Sequence, residues 1–204
     1  MVELDADEAH NLLVAVLPLP DTCLFPEASL VQIVARPGFQ RALGVAARSG
    51  GRLLALGCHG GPLGPQARDF HPVGTLAHVS EDLELPDGTH RVELDGVQRA
   101  RVVTLLGNDT YAAELEPLDE GDAGDEWGPA VEALARYLHA HPDLRSFLDQ
   151  QRRSRDPMAW VNLACQHLPI AFSARQRLLE APAAERCLKI SRGLDALLRK
   201  EKGD

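Results

Sequence analysis

Residues 17–37 read LPLPDTCLFPEASLVQIVARP, and the reading of this stretch decides the fold. An apolar run ends in a Leu-Pro-Leu-Pro-Asp turn, a second carries Leu24-Phe25-Pro26, and a third stops at Ala35-Arg36-Pro37. Proline cannot donate to a sheet ladder, so short β-prone runs cut by prolines suit an irregular small barrel whose strand ends are fixed.

Working outward, β-prone runs are expected over Asn11–Val16 and Ser29–Ala35, with Leu17–Pro26 connecting them. Pro37 fits the first position of a helix whose body, Phe39–Arg48, stops at Gly50-Gly51. Arg52–Cys58, RLLALGC, reads as a short buried strand, and Gly57–Gln66 as a loop. Val73–Glu84 and Arg91–Leu94 flank Leu85-Pro86-Asp87-Gly88-Thr89, a tight-turn signature. Asp95-Gly96 predicts another turn, and Ala100–Leu106 and Thr110–Leu115 two further strands. Six or seven short strands and one helix thus predict a β-rich pseudo-barrel over residues 11–118.

The segment DEGDAGDE, residues 119–126, reads as a solvated linker. Beyond it the apolar spacing becomes helical. Val131, Leu134, Tyr137 and Leu138 share a face, Asp156-Pro157 opens a helix carrying Val161, Ala164, Cys165 and Leu168, and Ser173–Gln176 has a capping-box pattern. Cys187, Ile190, Leu194, Leu197 and Leu198 form a last stripe. A bundle of four or five helices is expected over 127–201, so the expected fold class is α+β, a β-rich barrel followed by a C-terminal helical bundle.

Composition narrows the function. In 204 residues, 45% are hydrophobic and 25% charged, enough apolar content for a packed core. No apolar run reaches the ~18 residues of a membrane span, and MVELDADEAH lacks the basic start of a signal peptide, which predicts a cytoplasmic protein and no membrane partner. Four scattered cysteines read as buried reduced thiols. Neither Cys58-His59 with His71 and His78 nor the pair His139 and His141 has metal-ligand spacing, so no metal is expected. The net charge of −9 opposes a phosphate backbone and argues against nucleic acid. Three lysines against eighteen arginines suggest a GC-rich bacterial genome.

In order along the chain, the opening LPLP and Phe-Pro pieces, Val73-Gly74-Thr75, Leu85–Thr89, Asp95–Arg101, Tyr111–Pro117, His167-Leu168-Pro169 and Gln176–Glu180 resemble the amino-terminal domain of Lon proteases. The resemblance implies a PUA-like barrel followed by helices, and a stand-alone module that recognises unfolded or tagged protein substrates or acts as an adaptor, with a protease or chaperone as working partner. It implies neither motor nor peptidase here. None of Lys189, Lys200 and Lys202 follows a glycine, as a G-x-x-x-x-G-K-[ST] phosphate loop requires. Lys189 and Ser191, two apart on a predicted helix, diverge. No catalytic, cofactor or metal residue is therefore assigned, and no cofactor is expected.

Two other classes stay open: a cryptic hydrolase built on Cys23 or Cys58, and an RNA-binding PUA-like module using Arg99 and Arg101 on the outer face of a strand. Phosphate cradling by Gly57–Gly64 lacks a following helix to complete it. For protein recognition, Trp127 and Trp160 are the expected contact residues, in a cleft between barrel and bundle. The acidic balance favours client segments that carry basic residues beside apolar ones.

Overall fold

The computed structural model describes residues 13–61, 64–151, 154, 156–201 and 203. The acidic leader, the first two residues of the expected opening strand, Pro62-Leu63 of the glycine-rich loop and Lys202 lie outside the described residues. The chain forms two compact units, one up to Leu118 and one from Asp119.

The first unit is mixed. Strands β1 (Leu13–Pro20) and β2 (Ser29–Val34) precede helix α1 (Pro37–Arg48). Then come β3 (Arg52–Cys58), β4 (Val73–Glu84), β5 (His90–Leu106) and β6 (Tyr111–Pro117). All six strands share one sheet in the order β2-β5-β4-β3-β1-β6, and a further β5–β6 pairing closes five of them into a ring. β1 and β3 run parallel; the other pairs are antiparallel. Inside the ring Val14, Val16, Leu54, Leu56, Ala100, Tyr111 and Ala113 pack together, with Phe70 and Leu76 against them. Each large side chain removed from water there contributes roughly 1.5–3 kcal/mol. The Tyr111 hydroxyl reaches the Pro65 carbonyl at 2.7 Å, so its polar end is satisfied.

Two sequence expectations change here. Leu17–Pro20 is strand, not connection: β1 continues through both prolines, paired to β3 only, because its register with β6 ends at Val16. The Asp21 amide donates to Cys58 of β3 (2.9 Å), and amides alternate sides along a strand. The positions of Pro18 and Pro20 therefore face away from β3, where a missing donor breaks no ladder bond.

Asp95-Gly96 is likewise no turn. β5 runs straight through it, and the register with β4 shifts so that Ala77 meets Gly96 while Leu76 meets Gln98. Glycine is needed there because a β-carbon would lie 2.2 Å from the Phe25 carbonyl oxygen. Cys23, Leu24 and Phe25 form a fully buried irregular segment, held by Thr75 Oγ1 donating to the Leu24 carbonyl (2.5 Å) and by Gly96 bonding Glu27 and Ala28 (both 2.9 Å).

α1 starts at its proline and buries Phe39, Ala42, Leu43 and Ala46, spaced i, i+3, i+4, i+7. Gly50 and Gly51 then turn the chain with positive φ, and the Gly51 amide returns to Ala46 (2.8 Å).

The second unit is helical: α2 (Trp127–Ala140), α3 (Pro142–Gln151), α4 (Pro157–His167), α5 (Phe172–Glu180) and α6 (Ala183–Glu201). Asp156 caps α4, its carboxylate accepting from the Met158 amide (2.9 Å). The capping box expected at Ser173 does not form, because α5 begins two residues earlier and Ala171 occupies the cap position. Arg186 is fully buried among α4, the end of α5 and Glu120.

Candidate functional site

No helix among the described residues is long and apolar enough to cross a membrane. The cysteines, Lys189 and the glycine-rich loop, the groups considered for hydrolysis or phosphate binding, are buried or already engaged. Cys23 is wholly buried. Burial, with Asp21 and Asp69 nearby, pushes the Cys58 thiol up to about 12, the opposite of what a nucleophilic thiolate needs. Cys165 and Cys187 are buried free thiols as well. Lys189 pairs with Glu185 one turn back on α6 (2.8 Å), not with Ser191. In the glycine-rich loop the Gly60 amide already donates to the Asp21 carboxylate (3.2 Å), which places negative charge where a phosphate would sit. No group of three or more metal-binding side chains occurs among the described residues.

The arginines proposed for nucleic acid do not share one outer face. Arg101 is exposed and paired with Glu116 (3.0 Å), whereas Arg99 is buried, only 2% exposed. The chain after β6 runs past Arg99, whose carbonyl accepts from the Leu118 amide (2.9 Å).

An apolar surface does stand out on the ring. β2 sits at the end of the strand order and pairs only with β5 among the described strands, so one side of its backbone carries no ladder. The register puts Ile33 beside Arg91 and Leu83, and Val31 beside Glu93 and Glu81, in two rows across β2, β5 and β4. Val31, Ile33 and Leu83 are 48%, 52% and 50% exposed, high for side chains of this size on one face. Carboxylates interleave them: Glu81 is bound by Arg91, and Asp95 accepts from Ser29 Oγ (2.6 Å). A bare strand edge beside such a face offers main-chain hydrogen bonds and side-chain contacts to an extended segment.

Trp127 opens α2 and Trp160 lies in α4, both half-buried in the helical unit. That unit also holds a groove of about 450 Å³ between α5 and α6, and neither tryptophan lines it. The strand surface and the groove were not legible in the sequence. Alternation marks Val31 and Ile33 as sharing a face, but not that β2 is an edge or that Leu83 lies two strands away.

Comparison with known proteins places the chain. A family profile described as the ATP-dependent protease La (LON) substrate-binding domain matches residues 14–194. Lon protease 1 of Thermus thermophilus is 34% identical over 195 residues, which cover 90% of this chain and 24% of that protein. The Lon protease of Xanthomonas oryzae pv. oryzae is 33% identical over 176 residues, 81% of this chain and 20% of that protein. The chain thus spans about a quarter or less of these curated relatives. Among solved structures, the N-terminal domain of a Mycobacterium avium complex Lon protease has the same fold, with a TM-score of 0.72 at 18% identity, covering 91% of this chain and 98% of that one.

Proposed function

The chain belongs to the LON substrate-binding domain family, and from this premise we propose that it is a non-catalytic recognition module that holds extended apolar segments of unfolded or tagged proteins against β2. The observation that carries the reading is the exposed face of Val31, Ile33 and Leu83 beside the unladdered edge of β2. An incoming strand would take its main-chain bonds from β2 and set alternate side chains beside Val31 and Ile33, while Glu81, Glu93 and Asp95 favour clients with basic residues.

The test is a fluorescence titration of an unfolded basic client against wild type and Ile33→Lys, with thermal melts run in parallel. Because Ile33 is half exposed, the variant keeps its melting temperature, and client affinity falls by about tenfold. Trp127→Ala and Trp160→Ala are run beside it. Loss confined to a tryptophan variant that still melts normally moves the contact to the helical unit. Equal binding by all variants removes the strand surface. Casein stays uncut with or without ATP; cleavage abolished by Cys23→Ala or Ser191→Ala overturns the non-catalytic reading.

A further inference from the structure

The groove between α5 and α6 is a second, chemically different surface, remote in sequence from β2. Buried Leu168, Leu178, Ile190 and Leu194 form its floor, and the more exposed Ile170 and Leu197 also line it. At about 450 Å³ it has room for several apolar side chains. Two cations border it. Lys189 is engaged by Glu185, while Arg177, exposed on α5, has no hydrogen bond or ion pair among the described residues. Arg177 thus sets a positive charge, without a partner among the described residues, on the border of an apolar trough.

We propose that this groove docks an amphipathic helix of another protein, its apolar stripe on the leucine floor and an acidic residue against Arg177. The helical form follows from the walls. This unit is built of helices, so an extended segment would find no sheet edge for its backbone, whereas a helix satisfies its own amides and carbonyls. The acidic residue follows from charge complementarity with the unengaged guanidinium.

Gly193 supplies the decisive variant. It lies in α6 at the groove, and a β-carbon added there meets nothing within 4 Å, so a leucine would project into open groove space. Replacing a mid-helix glycine also favours the helix, so the plugged protein stays folded. The probes are a labelled amphipathic peptide with leucines at i, i+3, i+4 and i+7 flanked by glutamates, and its twin with lysines in place of the glutamates. Fluorescence anisotropy is followed with wild type, Gly193→Leu and Arg177→Glu. Wild type is expected to prefer the glutamate peptide. Arg177→Glu should weaken that peptide by about fivefold and narrow or reverse the preference. Gly193→Leu should weaken both peptides by about tenfold or more, with an equal or higher melting temperature. Absence of binding, equal affinity for the two peptides, or binding indifferent to Gly193→Leu overturns the proposal. So does sedimentation showing that wild type fills the groove with a second copy and that Gly193→Leu returns it to a monomer.

Discussion

Arg186 shows what a single residue can hold. Its Nε donates to the Leu178 carbonyl and its Nη2 to the Ala181 carbonyl (both 3.0 Å), while Nη1 binds Asn162 and lies 3.0 Å from Glu120. A guanidinium with no solvent access is tolerable only because every face meets an acceptor. Arg186→Met therefore strands two carbonyls, an amide and a carboxylate together, and urea unfolding should show a loss of about 3–5 kcal/mol. Asn162→Ala removes one acceptor and should cost less, about 1–3 kcal/mol. None of this was visible beforehand. Helical spacing identifies the inward stripe of Cys187, Ile190 and Leu194, but an arginine beside that stripe is ordinarily solvated. Only the meeting of Glu120 with α4 and α6, brought together from remote sequence positions, makes this one internal.

Among the elements, β5 is the one whose sequence misleads. Asp-Gly after a short apolar run is a turn signal, yet at Gly96 the glycine serves close approach of the Phe25 carbonyl to a continuous strand. Local pattern cannot separate the two uses, since both need a missing side chain. Gly96→Ala tests the reading: the added carbon must displace the Leu24–Phe25 segment, and thermal or chemical denaturation should show a loss of about 1–3 kcal/mol. A substitution at a real surface turn would leave that buried segment alone. Where the signal is purely local the sequence reads well. Pro37 and Gly50-Gly51 bracket α1, and Leu85–Thr89 does form the turn between β4 and β5. The capping box at Ser173 misleads because the chain enters α5 at Ala171, before the motif.

At the scale of the whole molecule, the α+β class was legible because period-two and helical spacing are each written in neighbouring residues. The parallel β1–β3 pair and the closure of β5 onto β6 were not, since they join distant segments. Net charge also acts at this scale. With −9 overall, association with a basic apolar client should be steered electrostatically, and stopped-flow mixing should show the on-rate falling by about tenfold or more from low to high salt, with dissociation changing less. An unchanged on-rate would mean that apolar contact alone sets capture. The two prolines of β1 have a consequence beyond their own strand. Fibre growth needs each copy to offer two compatible strand edges, one to receive a neighbour and one to extend the chain of copies. β2 offers one. Beyond Val16, Pro18 and Pro20 remove the donors that an arriving strand would need on the open side of β1. Copies that meet at β2 thus cannot extend a chain of copies through this part of β1, and fibre growth by that route is blocked.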